Sequence, residues 1–433
     1  MSVKSAVYNI AVKVFQLMAQ VGLAYFTNRI LAPEGRGLVA AASTWHMMLY
    51  TIGYVSIPIA VYNLFGNRKE QQSAFAGNAL LAGLLLGILT SLAAWILFYL
   101  FPGWFENIPE TFFILILAGI PLYMIQQFHL SILQMMGHLK EYNFSFLLTT
   151  LLNIVLTGLA ILMQQYNAYI AIWILLGNWA LTLIYTSGML WKYSTHAWRT
   201  DFSLLGKMLA TGLVAHFASI VTLAAQRLDL IMVNNILGQR EAGIYFLAIM
   251  LTGTLTIIPS AVQSVLYPRL AETGLAQGAT LTFRVARLTF LIMLLACGAL
   301  AILTWPAVRI VGGKSFMEAV PLIWIMLPGV ALYSIPVVLA GLWNSMGIFK
   351  LLNITSILMF GFIIVADYSL ISRFGLAGAA VAACSISIFA FMLHAVFVKI
   401  AAKANPFFEL MPKLEDVKFL TNIALNALKK IRP

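Results

Sequence analysis

Apolar runs of roughly twenty residues follow one another almost without pause, each long enough to cross a hydrocarbon layer of about 30 Å. They fall at roughly 5–30, 38–64, 75–101, 112–136, 144–163 and 169–191, then at 205–237, 244–266, 283–305, 319–346, 351–371 and 376–400. The runs are continuous, whereas the strands of a membrane barrel alternate apolar and polar positions. Backbone polar groups in lipid must be satisfied within the segment, so the runs predict helices. The expected fold is all-α, a polytopic membrane protein of about twelve transmembrane helices.

Composition agrees with a lipid solvent. Of the 433 residues, 62% are hydrophobic and 9% charged, against about 25% charged in a soluble domain. The net charge of +12 comes from basic residues scattered through short loops, which form no continuous face for nucleic acid. Cys297 and Cys384 both fall inside apolar runs, where a thiol packs as a small side chain and implies neither disulfide nor metal. The first run carries Asn9, Lys13, Gln16 and Gln20, unlike the clean apolar core of a cleaved signal, and is expected to be a retained helix. With the N-terminus in the cytoplasm, most Lys and Arg fall on that side. The positive-inside rule therefore predicts two cytoplasmic termini in a cytoplasmic (inner) membrane.

The longest polar connection, KYSTHAWRTDFSLLGK from Lys192 to Lys207, divides the chain into two halves of six helices. The expected lobes are 1–195 and 196–401, with 196–204 as linker. ILAPEGRGL at Ile30 to Leu38 recurs as ILGQREAGI at Ile236 to Ile244, which sets Gly37 against Gly243 at an offset of 206. MMGHLKEYN recurs as SMGIFKLLN, which sets Gly137 against Gly347 at an offset of 210. Repeats with an even number of helices enter the membrane in the same orientation, so a pseudo-two-fold axis along the membrane normal is expected, with substrate passing through a central cavity. The tail, 402–433, spaces Leu414, Val417, Leu420, Ala424, Leu428 and Ile431 by three or four, the pattern of an amphipathic helix on cytoplasmic headgroups or a docking site for biosynthetic partners.

Ionisable groups inside spans are costly and therefore candidates for function. On the first helix Lys13 shares one face with Gln16 and Gln20, although its flexible stem also allows it to snorkel to the headgroups. Arg29 lies near the far end of that helix. On the seventh, Arg227 and Asp229 stand about 200° apart, so each needs a partner from another helix. His216 lies near the azimuth of Arg227. The pair either fixes packing or, beside a polar face, meets an anionic ligand. Gln126, Gln127 and His129 on the fourth helix are suited to sugar hydroxyls, or to holding helices together. Asp229, and less directly Asp367, are the expected sites of ion coupling. No metal-spaced cluster, phosphate-cradling glycine loop or nucleophile constellation occurs, so no cofactor and no enzymatic chemistry are expected.

RILAPEGRG at Arg29 to Gly37, RLDLIMVNNILGQREAGIYFLA at Arg227 to Ala248 and PSAVQSVLYPRLA at Pro259 to Ala271 resemble the polysaccharide exporter branch of the multidrug and oligosaccharidyl-lipid exporter superfamily. The resemblance runs through essentially the whole chain. It implies two lobes in a V, alternating access, and a positively charged cavity for an undecaprenyl-pyrophosphate-linked glycan such as an O-antigen unit of lipopolysaccharide. Lys13, Arg29 and Arg227 occupy the places where such proteins hold the headgroup, and fixed cations suit a diphosphate on physical grounds.

The expected function is a flippase for a lipid-linked oligosaccharide, moving it from the cytoplasmic to the periplasmic leaflet. The expected drive is H+, Na+ or the membrane potential. A monomer is expected, with membrane lipids and polysaccharide polymerase or assembly proteins as partners. The alternatives are a multidrug/cation antiporter of the same superfamily, a lipid II-type flippase and, from another class, a membrane-embedded transferase.

Overall fold

The computed structural model describes residues 3–65, 71–105, 107–194, 198–272, 275–345 and 349–431. Among them no strand forms, and the helices in chain order are α1 (Val3–Gly53), α2 (Ile57–Phe65), α3 (Gln72–Leu100), α4 (Glu110–Met135), α5 (Leu139–Leu162), α6 (Ala168–Tyr193), α7 (Phe202–Ile236), α8 (Gln239–Gly253), α9 (Ile257–Glu272), α10 (Leu275–Val311), α11 (Ala319–Ser345), α12 (Phe349–Ile400), α13 (Pro406–Leu410) and α14 (Leu414–Ile431). Eight of the described helices are long and apolar enough to cross a membrane, or nine with the bent pair α1 and α2 taken as one span.

Two elements are longer than any bilayer crossing because each is a pair of rods joined at a bend. In α1 the bend is Ala32, at φ 55, directly before Pro33. In α12 it is Gly375, at φ 59. Divided at these bends, and with α7 included, the helices accommodate the expected dozen or so crossings. The all-α polytopic membrane fold read from the apolar runs is thus the fold observed. The second copy of the MMGHLKEYN repeat lies largely outside the described residues.

The chain forms two compact units, 1–244 with 310–315 and 245–309 with 316–433. In the first, α7 packs against α1 and α2, which is why the unit extends past the polar connection near 200. Its central helix is α4, with 56% of its span window buried, whereas α3 has 22% buried and turns Leu84, Leu85, Leu89, Leu92 and Ile96 outward. Such a row is at home only against lipid tails. The interior is aromatic, with Trp45, Phe65, Phe75, Phe112, Phe113 and Phe128.

Without a hydrophobic force between helices in lipid, close packing has to hold them, and small residues permit it. A Cβ on Gly83 would come 2.7 Å from the Ile125 side chain, and one on Gly87 2.6 Å from Pro121 Cα, both across the α3–α4 seam. Gly87→Leu is therefore expected to cost about 1–3 kcal/mol by overpacking, read as a lower melting temperature of the detergent-solubilised protein.

The second unit centres on α11, 61% buried over its span. Its tail does more than lie on a surface: the Arg287 guanidinium on α10 donates from Nε to Asp416 Oδ2 on α14 at 2.6 Å and from Nη1 to the Glu409 carbonyl at 2.8 Å. The Arg284 guanidinium sits 5.1 Å from the Phe419 ring centroid.

Candidate functional site

The first unit holds most of the polar side chains singled out in the sequence. Gln16, on α1, reaches α5, where its Nε2 donates to the Phe146 carbonyl at 3.4 Å and to Thr150 Oγ1 at 3.3 Å. Gln20, one turn on, is exposed. The polar stripe of the first helix is thus split: one member joins helices and the next remains open. The side chain of Lys13 lies outside the described residues.

Arg29 is exposed at the end of the first rod of α1. It curls back on its own helix, donating from Nη1 to the Tyr25 carbonyl at 2.8 Å with its guanidinium 3.9 Å from the Tyr25 ring centroid. Arg227, on α7, is half-buried and has no hydrogen bond or ion pair among the described residues. A guanidinium in that position keeps its five donors for a ligand or solvent. Asp229 is also half-buried, with Oδ1 accepting from the Leu230 N–H at 2.7 Å. Asp367 is fully buried in the first rod of α12, within the second unit.

His216 sits on a feature that periodicity did not reveal. The helical run through α1 and α2 breaks at Tyr54 to Ser56, and Val55 and Ser56 both have φ 48, a conformation that is an outlier for a β-branched residue. The break frees backbone groups, which in a membrane need new partners. His216 supplies them from α7: Nε2 lies 2.9 Å from the Ile52 carbonyl and Nδ1 3.4 Å from Ser56 Oγ, which is 3.2 Å from Ser219 Oγ. The carbonyl only accepts, so the Nε2–H tautomer is required. Gly53 and Pro58 were the local signals that could have located this break.

On α4 the polar residues turn inward. His129 is fully buried, with Nδ1 3.2 Å from Ser187 Oγ on α6 and its ring against Trp198. Gln126 is 4% exposed and Gln127 half-buried. On α1, His46 stacks on Trp179 at 4.0 Å and meets the Tyr123 ring edge-on. A small cavity lined by Ser43, His46, Leu115, Ile172 and Trp179 adjoins it. His129 and Ser187 thus link α4 to α6 inside the bundle, as polar groups that join membrane helices do.

Comparison with known proteins follows the same lines. Residues 2–274 match the family model described as "Polysaccharide biosynthesis protein". No curated protein sequence matches the chain. Among solved structures, the lipid II flippase MurJ in an inward closed conformation aligns with a TM-score of 0.75 at 13% identity, covering 98% of this chain and 93% of that one. An inward-facing multidrug resistance MATE family transporter of the MOP superfamily aligns with a TM-score of 0.70 at 14% identity, covering 92% and 99%. The MATE multidrug transporter DinF-BH aligns with a TM-score of 0.62 at 18% identity, covering 93% and 95%.

Proposed function

Because the chain belongs to the polysaccharide biosynthesis protein family, we propose that it is a flippase that moves an undecaprenyl-pyrophosphate-linked oligosaccharide, such as an O-antigen repeat unit, from the cytoplasmic to the periplasmic leaflet of the inner membrane. The observation that carries the reading is the family match over 2–274 in a chain whose fold is that of membrane transporters and flippases. The lipid tail stays in the bilayer while the headgroup crosses, so the protein has to neutralise a diphosphate along the way. Lys13, Arg29 and Arg227 are the proposed cations, with exposed Gln20 and half-buried Gln127 the first glycan contacts. Gln16, His216, Gln126 and His129, bonded to neighbouring helices or buried, join them only in a state in which those helices separate. Arg227, half-buried and uncommitted among the described residues, is the member best placed for bidentate binding of phosphate oxygens. Both termini are cytoplasmic in this scheme, and the chain acts as a monomer by alternating access.

A drug/cation antiporter is the second reading, favoured by the likeness to MATE transporters. Cationic cargo needs buried carboxylates, and among the described residues of α1 to α6 no Asp or Glu is buried. Deleting the gene and weighing the lipid-linked glycans that accumulate tests the proposal. Accumulation of one complete repeat unit on the cytoplasmic leaflet is expected, and an unchanged lipid-linked pool contradicts it.

Ion coupling is assigned to Asp229, with Asp367 as a second carboxylate in the other unit. Protonation or cation binding at Asp229 would alter the field at Arg227, two residues away, and so bias the protein between states. Asp229→Asn is expected to flatten the pH dependence of transport. A variant with the parent's pH profile would remove Asp229 from that role.

A further inference from the structure

The two copies of the ILAPEGRGL repeat correspond in sequence, and they also touch. A Cβ built on Gly37 would overlap the Gln239 carbonyl and lie 2.8 Å from Gly243 N. One built on Gly243 would overlap the Pro33 carbonyl and lie 2.9 Å from Gly37 N. At the offset of 206, Pro33 corresponds to Gln239 and Gly37 to Gly243. Each glycine therefore meets the counterpart of the residue that its own counterpart meets. A contact of that kind is isologous: the same patch meets itself across a two-fold axis.

The correspondence extends on both sides of the glycines. NRIL at Asn28 to Leu31 pairs with NNIL at Asn234 to Leu237 at the same offset, and both asparagines are buried, at 1% and 0% exposure. Asn28 Nδ2 donates to the Val311 carbonyl at 3.2 Å, at the end of α10. On the other side, Asn235 Nδ2 donates to the Trp104 carbonyl at 2.8 Å and Asn107 Nδ2 to the Asn234 carbonyl at 2.9 Å, in the segment that follows α3. Gln239 Nε2 donates to the Asn107 carbonyl. The end of the first helix of each half is thus held by the chain at the end of the third helix of the other half. All of these residues lie in one compact unit, which is why 310–315 belongs to it. All of them also lie at the membrane face opposite the N-terminus in the twelve-crossing order.

We infer that this reciprocal clasp is the outer gate of the transporter: a seal centred on the Gly37–Gly243 backbone contact that has to part for cargo to leave. Backbone-to-backbone contact explains the need for glycine at both positions, since any side chain would hold the two backbones apart. The seal is short, made of backbone and amide side chains at its centre, with its charged neighbours Arg240 and Glu241 paired to each other on one copy. The inference rests on the transporter fold and on alternating access, not on the identity of the cargo.

The test uses the full chain with Cys297→Ser and Cys384→Ser, carrying Asn107→Cys and Gln239→Cys, and a short reducible bifunctional thiol reagent. High cross-link yield is expected, falling at least five-fold when Gly37→Leu and Gly243→Leu are added. An unchanged yield in the leucine variant, shown to be folded by its elution as a monodisperse species, overturns the role of the glycines. In cells, cross-linking is expected to stop glycan export and reduction to restore it; export at the uncross-linked rate by fully cross-linked protein overturns the gate. If the yields respond as expected while the uncross-linked protein exports no glycan, the gate stands and the cargo assignment fails.

Discussion

Replacing Lys13, Arg29 and Arg227 together with alanine is expected to abolish surface glycan while the protein remains folded and in the membrane. A hydrogen bond to a charged group contributes about 1.5–3 kcal/mol, and each 1.4 kcal/mol is a factor of about ten. Three lost contacts therefore amount to a thousandfold or more in affinity for the headgroup. The single variants should differ. Arg29 is stacked on Tyr25 of its own helix, so it has to leave that position to reach a headgroup and its loss should cost least. Arg227 is uncommitted among the described residues, and Arg227→Ala should cost more, with Arg227→Lys restoring charge but not the bidentate fork. Near-normal export by the triple variant would remove the diphosphate from the account.

The second large effect is expected at Arg287. Its side chain is 8% exposed and that of Asp416 3%, with 2.6 Å between Nε and Oδ2. Removing one partner of such a pair leaves a buried charge uncompensated, at a cost of about 3–5 kcal/mol. Arg287→Ala should therefore release α14 and open the segment around 402–413 to protease. The double variant Arg287→Ala/Asp416→Ala should lose less than the single one, because the deeply buried orphaned carboxylate is gone and the other partner of Arg287, Glu409 at 3.7 Å, is 33% exposed.

The same pair sets a pH dependence. Burial alone would raise the Asp416 carboxyl, but the hydrogen bond from Arg287 and the Lys413 backbone N–H hold it below its ordinary value of 3.8. A carboxyl with a depressed folded value stabilises above its unfolded value and loses that stabilisation as pH falls through the folded one. Docking of the tail should thus be constant near neutrality and weaken only below about pH 4. A tail that detaches between about pH 5 and 7 would contradict this assignment.

The spans were legible because lipid leaves the backbone no choice: a continuous apolar run of sufficient length has to be a helix. The bends were partly legible, since Pro33 and Gly375 mark two of them and Gly53 and Pro58 flank the break at Tyr54 to Ser56, but nothing local shows that His216 of α7 donates to the Ile52 carbonyl that the break frees. His216 illustrates the limit. Its azimuth on α7 placed it near Arg227, but its bonds go to Ile52 and Ser56, 160 or more residues away in the chain. Gln16 read as part of a stripe and is engaged with α5. The repeat identified Gly37 and Gly243 as equivalent, but equivalence alone carries no distance, and only the packed chain brings them together. Periodicity likewise read the tail as amphipathic without any signal for its ion pair with Arg287, because the partners are 129 residues apart.

The central claim is that this chain carries a lipid-linked oligosaccharide across a bilayer. Purified protein reconstituted into vesicles with a labelled undecaprenyl-pyrophosphate oligosaccharide in the outer leaflet gives the most direct reading, with an added glycosidase reporting which molecules stay accessible. Under an imposed ion gradient, a growing fraction should become protected, and the Arg227→Ala protein should protect far less. Protection no greater than in protein-free vesicles, with efflux of an organic cation from the same preparation, would contradict the claim and make the chain a cation exporter.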